Sequence, residues 1–223
     1  MIAYVKMQLL RWRRRTLGVG LLVAAVFLPT MMAIVFLVGR GGQIQERFRP
    51  AFLSWAVLSV LPFSGLMIAI QLSGLVGEES RFRRSTVLRV GSLDGHRAVG
   101  AFALLAIVLA LLHGTIGFVG PAIVGLFAGI PLASWLVPSL VTILLLSAFG
   151  PPAVMAGFLL PRTLALLTVS IGALVAGVSL TARFLWEPKG PVEPGPLLGV
   201  LVVYAVFLSA GGLVWRARSS ASW

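Results

Sequence analysis

Cysteine is absent from the 223-residue chain, which excludes disulfide frameworks, thiolate metal sites and cysteine nucleophiles. Charge is scarce as well: 11% of residues are Asp, Glu, Lys or Arg, against about 25% in an ordinary soluble domain. Negative charge is scarcer still, with 6 Asp and Glu facing 18 Lys and Arg. What fills the chain instead is apolar: 59% of residues are hydrophobic and the mean hydropathy is +1.04. So few charged side chains do not cover the surface of a soluble protein of this size, and the sequence reads as an integral membrane protein. The net charge of +12 would point a soluble chain toward nucleic acid. Here the cations stand in short clusters between apolar runs, the pattern that orients a membrane protein, and nucleic acid is not an expected partner.

A membrane-spanning helix needs about 20 largely apolar residues. That ruler predicts an all-α fold, a single transmembrane domain over 1–223 with six spans near 17–38, 52–76, 98–120, 132–159, 163–182 and 197–214. The first is too long for a signal-peptide core and is expected to be retained. Pro121, Pro131, Pro138, Pro151, Pro152 and Pro161 interrupt the middle of the chain, so a kink is expected at Pro151-Pro152. Proline frees backbone carbonyls that neighbouring helices must satisfy, so the fourth span is expected to be buried in protein rather than to face lipid. With six spans, one side of the membrane receives Lys6, Arg11, Arg13, Arg14, Arg15, Arg81, Arg83, Arg84, Arg89, Arg97, Arg162, Arg216 and Arg218. The other receives only Arg40, Arg47, Arg49, Arg183 and Lys189. The positive-inside rule then places both termini in the cytoplasm. Only Lys6 and Lys189 are lysines; a preference for arginine codons, which are GC-rich, points to a GC-rich bacterial genome. The expected location of such a multi-span chain is the bacterial cytoplasmic (inner) membrane.

The polar segments are short. In 1–15, Met1, Val5, Leu9 and Trp12 recur at helical spacing beside Arg11, Arg13, Arg14 and Arg15, as in a helix lying in the interface with arginines on anionic headgroups. The extracytoplasmic loop 183–196 carries Trp186 as an interfacial anchor, and its four prolines with Gly190 and Gly195 are expected to forbid regular helix. Gly125-x-x-x-Gly129 reads as helix packing within the bundle.

None of the six acids falls inside a span, which disfavours an ion-coupled carrier or proton relay. No G-x-x-x-x-G-K-[ST] loop and no carboxylate pair for a metal occurs, so no ATP site, cofactor site or catalytic motif is expected in this chain. His113 is the titratable residue well inside a span, read as a histidine hydrogen-bonded to a neighbouring helix. Ser64-Gly65 beside it would be needed for an intramembrane serine nucleophile, but serine next to glycine reads more simply as a close-packing pair.

The longest polar segment, 78–97, reads GEESRFRRSTVLRVGSLDGHR with its preceding glycine. Modelling 83–90 on helical spacing places Val87 and Val90 on one stripe with Arg83, flanked by Leu88: a short basic amphipathic element for docking on a membrane or partner. In these residues the chain resembles the permease subunits of type-2 ABC exporters, with an interfacial helix ahead of six spans and an acidic and basic cluster after the second. Arg84-Ser85-Thr86 corresponds to that family's basic-Gly-Thr element, Leu88 to its leucine-rich turn and Ser92-Leu93 to its Pro-Leu; Ser85 and Ser92 replace the family's glycine and proline. The resemblance implies a coupling helix, with Glu79, Arg83, Arg84, Thr86, Val87, Leu88, Arg89 and Leu93 seated on a separate cytoplasmic ATPase that binds ATP and Mg. It implies a second permease chain, identical or different, and export of a hydrophobic or amphipathic substrate such as a drug, lipid or peptide, with multidrug resistance as one outcome. A haem-exporting or cytochrome-maturation permease is a variant of this reading, and a non-transporting membrane scaffold or accessory subunit is its rival.

Overall fold

The structure, a computed structural model, describes residues 16–39, 49–81, 95–186 and 194–220. Among the described residues there is no strand, and nearly all of them are helical. The helices are α1 (Thr16–Val38), α2 (Arg49–Arg81), α3 (Gly95–Phe127), α4 (Leu136–Ser147), α5 (Gly150–Leu159), α6 (Arg162–Trp186) and α7 (Pro194–Ser220), with a 3-10 turn at Leu132–Trp135 leading into α4. Three segments, Ala51–Val76, Val99–Phe127 and Leu132–Leu159, are long and apolar enough to cross a membrane. Val23–Val38, Thr163–Gly177 and Leu198–Val214 are shorter apolar stretches. These helices are compatible with a membrane protein.

Direction follows from the contacts. Ala25 and Thr30 of α1 face Gly117 and Gly120 of α3, so those two helices run the same way. Gly65 of α2 meets Phe149, Leu72 meets Gly150 and Val76 meets Gly157, which sets α2 parallel to α5; Gly114 of α3 meets Ile143 of α4 while Gly125 meets Trp135 just ahead of it, which sets α4 antiparallel to α3. Val60 and Ser64 meet Gly117 while Leu72 and Ala106 meet at Gly150, which sets α2 antiparallel to α3. Between them α2 and α3 touch every other helix; α6 packs on α2 and α5, and α7 on α3, α4 and α5. The core is accordingly built on these two, with Leu61, Ile68, Leu72, Phe102, Leu105 and Leu109 fully buried. At one end Phe36, Phe52, Trp55, Phe118 and Trp135 cluster, Phe52 meeting Trp135 edge-on at 5.9 Å and 88°. At the other, Phe102 meets Phe158 edge-on at 5.7 Å.

Outward faces are apolar, as lipid would require: Phe27 and Val35 on α1, Leu136 and Leu140 on α4, Leu167 and Ile171 on α6, Leu201 and Val206 on α7 are all exposed.

Four sequence expectations are corrected. The fourth span is not wholly enclosed: Leu132, Leu136, Val137, Leu140, Leu144 and Leu159 are exposed, and its share of buried surface, 44%, is below the 59% and 56% of the segments in α2 and α3. Pro138 and Pro151 lie on its inward stripe, whereas Pro152 is exposed. The third span does not stop near 120, because Pro121 is accommodated within α3, which continues to Phe127. The 183–196 segment is helical at both ends, 183–186 extending α6 and 194–196 opening α7; Pro194 and Pro196 occupy the first turn of a helix, where the missing N–H has no partner to lose. The G-x-x-x-G pair divides its roles: Gly125 is buried against Trp135 and Phe52, whereas Gly129, at φ 79°, ends α3. There Ile130 N–H donates to Gly125 O (2.9 Å) and Gly129 N–H to Leu126 O (3.0 Å), the two bonds of a Schellman cap.

Where a kink was expected at Pro151-Pro152, the helix is interrupted just ahead of the two prolines. Ala148 and Phe149 form a turn between α4 and α5, their N–H groups donating to Leu145 O (3.1 Å) and Leu146 O (3.2 Å) in tightened i−3 fashion.

Candidate functional site

Polar side chains inside an apolar bundle must either bond their own backbone or find another helix. Several take the first course: Thr30 donates to Val26 O (2.6 Å), Ser59 to Ala56 O (2.8 Å), Thr142 to Pro138 O (2.7 Å) and Ser147 Oγ to Leu144 O (2.7 Å).

Two interactions cross between helices. Pro151 has no N–H, so the Ser147 carbonyl four residues earlier lacks its intrahelical donor. Tyr204 Oη of α7 donates to that carbonyl at 3.1 Å, so a neighbouring helix satisfies the freed group as the proline argument required. Tyr204→Phe is expected to destabilise the bundle by about 1–2 kcal/mol, the cost of stranding a largely buried acceptor. That corresponds to a fall in Tm of about 2–8 °C in detergent micelles for a chain of this size; an unchanged Tm contradicts the role assigned to the hydroxyl.

The second crossing joins the two central helices. His113 of α3 is fully buried, and its Nε2 lies 3.2 Å from Oε1 of Gln71 on α2, itself 6% exposed. The direction each side chain takes explains the meeting. Helical side chains lean toward the N-terminus of their own helix, and α2 and α3 are antiparallel. His113 and Gln71 therefore lean past one another across the seam. The reading of His113 as bonded to a neighbouring helix holds, and its partner is an amide that sequence analysis did not single out. With Oε1 accepting, Nε2 is the protonated nitrogen. Two polar atoms of the pair then have no partner, His113 Nδ1 and Gln71 Nε2. Ser64 Oγ, buried and without a partner, lies near Gly117, one turn beyond His113 on α3. It makes no hydrogen bond to His113. Gly65 packs against the Phe149 ring, as the close-packing reading expected. Ser73 Oγ, two residues past Gln71, is also buried and unpaired.

Of the residues expected to couple to an ATPase, Glu79 alone is among the described residues. Glu79 lies in the last turn of α2, and Arg83, Arg84, Thr86, Val87, Leu88, Arg89 and Leu93 fall in 82–94, outside the described residues. The interfacial segment with Arg11, Trp12, Arg13, Arg14 and Arg15 is outside them too. Trp186 is the last residue of α6. Among the described residues no three His, Asp or Glu side chains gather as a metal site.

No protein-family model, no curated protein and no solved structure matches this chain.

Proposed function

We propose that this chain is the membrane-spanning permease subunit of an ATP-driven, ABC-type exporter in the bacterial cytoplasmic membrane. It works with a separate cytoplasmic ATPase that carries ATP and Mg, and with a second permease chain. The observation that carries the reading is the position of segment 82–94. It joins α2 to α3, the two helices that between them touch all the others, so a displacement applied there reaches the whole bundle. Its arginines and its Val87-Leu88 pair are the kind of surface a partner groove takes, and they fall in the stretch that resembles a coupling helix. With neither an acid within a span nor a nucleotide loop in the sequence, the driving energy comes from a partner.

Orientation follows the charges. The apolar helices cross six times, both termini lie in the cytoplasm with 82–94, and 40–48 and 187–193 lie outside. The alternating directions of α1, α2, α3 and α4–α5 support this, since each of these crossings returns the chain to the opposite end. The absence of cysteine makes the topology testable with single substitutions. Ser85→Cys is expected to react with a membrane-impermeant maleimide only in inverted vesicles, and Gly42→Cys only in intact cells; reaction of both from the same side overturns the arrangement. The substrate class that fits is hydrophobic or amphipathic, because the bundle presents apolar surfaces and no intramembrane charge of its own to an ion or a sugar phosphate. Solubilisation of native membranes in mild detergent is expected to yield this chain together with an ATPase bearing a Walker motif; its recovery with no ATPase contradicts the proposal.

A further inference from the structure

We infer that the turn between α3 and α4, residues 126–134, is seated in the lipid of the leaflet it reaches, with its outward side chains among the lipids instead of in water. Composition is the first sign. A turn that joins two helices in water is ordinarily built from polar residues together with glycine and proline. This one reads LFAGIPLAS, with a single hydroxyl and no charge, and no charged residue occurs between Arg97 and Arg162. The connection 40–48 is the contrast. It joins α1 to α2, whose ends meet the turn through Phe36, Phe52 and Trp135, and its sequence carries Arg40, Glu46 and Arg47.

The structure gives the turn an inside and an outside. Ile130 and Trp135 are buried, Trp135 edge-on to Phe52 and to Phe118, and they fix the turn against the bundle. Phe127 and Leu132 point the other way, 87% and 62% exposed; for Phe127 that is the highest value of any large apolar side chain among the described residues. Exposed Ile123 on α3 precedes them and exposed Leu136 on α4 follows, so the outward apolar face of the two helices continues around the tip without interruption. A protein docking site has a polar rim about its apolar centre, whereas no residue from Ile123 to Leu140 is charged. Lipid is the partner that such a rimless surface fits.

Backbone and depth agree. Away from water a turn must use its own hydrogen-bonding groups. Ala128 N–H donates to Val124 O and Gly125 O, Gly129 N–H to Leu126 O, Ile130 N–H to Gly125 O and Ser134 N–H to Pro131 O, while Pro131 has no N–H to satisfy. The apolar segment Val99–Phe127 holds 29 residues. That is about 43 Å of helix against a hydrocarbon core of about 30 Å, so the tip reaches the layer where acyl chains give way to headgroups. Arg49, which opens α2 about one turn before Phe52, marks the same level. The inference rests on the membrane-spanning reading and is independent of any ATPase.

The chain has no cysteine, so single substitutions report one position each. Phe127→Cys, Leu132→Cys and the control Gly42→Cys are labelled with an environment-sensitive NBD probe, and each full chain is reconstituted alone into phosphatidylcholine–phosphatidylglycerol liposomes. Retention of the chain in the liposomes through an alkaline carbonate wash checks the membrane-spanning reading separately. The probes at 127 and 132 are expected to be quenched by lipid nitroxides near the top of the acyl chain and spared by aqueous cobalt on both sides, with the reverse at 42. In intact cells the unlabelled thiols at 127 and 132 are expected to react with an impermeant maleimide about tenfold or more slowly than the thiol at 42, because an apolar surrounding disfavours the reactive thiolate. Both substituted side chains are exposed, so the Tm of each variant in micelles is expected to match that of the unsubstituted chain. Cobalt quenching at 127 and 132 equal to that at 42 overturns the inference; combined with slow maleimide reaction in cells, it assigns the surface to a protein partner instead.

Discussion

Gly177→Leu is expected to separate α6 from α2 and to abolish cooperative thermal unfolding of the bundle in micelles. A β-carbon at Gly177 would stand 2.7 Å from Pro62 Cα and 2.9 Å from Pro62 Cβ. Those atoms belong to a rigid ring and its backbone inside α2, not to the free end of a side chain, so α2 has no cheap way to yield. Even Gly177→Ala is expected to cost about 1–3 kcal/mol, the range for overpacking a well-filled interior. Leucine adds three further carbons in the same direction. Gly172 on the same helix provides the contrast, being exposed with open space around it. Gly172→Ala is expected to be neutral or to stabilise by up to about 1 kcal/mol through helix propensity alone. Equal Tm values for Gly177→Ala and Gly172→Ala would contradict the packing assigned to α6.

Leu88→Asp is expected to weaken the complex with the proposed ATPase partner by about 30-fold or more. A short basic helix seated in a groove is held by its few apolar anchors, and truncating or charging a buried anchor commonly costs about 2 kcal/mol or more. Each 1.4 kcal/mol is about tenfold in affinity, so one such anchor accounts for the expected loss. Val87→Asp should act in the same way, since Val87 shares the apolar stripe. The folded bundle is expected to be unchanged in both, with the Tm of the isolated chain as the check. Undiminished complex formation by both variants removes the coupling role from 82–94.

The apolar segments and their approximate bounds were readable from hydropathy because lipid imposes a single requirement on twenty residues at a time. The interruption before Pro151 was readable as a kink, since a missing N–H acts locally. What escaped was how partners are chosen. Gln71 stands out only as an amide in an apolar run; that it meets His113, forty-two residues away, depends on α2 and α3 being antiparallel neighbours. Tyr204 is a similar case. Pro151 implied that Ser147 O needed a donor from outside, yet nothing in residues 197–214 marked the tyrosine as that donor until α7 was packed on α4 and α5. The extra helical turns at 183–186 and 194–196 were hidden because proline and glycine were weighed as breakers, when position within the first turn decides their effect.

The central claim is that this chain is driven by a partner's ATP hydrolysis delivered through 82–94. The most direct measurement is the hydrolysis rate of the co-purified ATPase in proteoliposomes, alone, with this chain, and with its Leu88→Asp form at a matched amount of bound complex. The account predicts that the chain raises the rate and that Leu88→Asp returns it to the rate of the ATPase alone. A rate indifferent to the chain, or equally raised by the Leu88→Asp form, would contradict it.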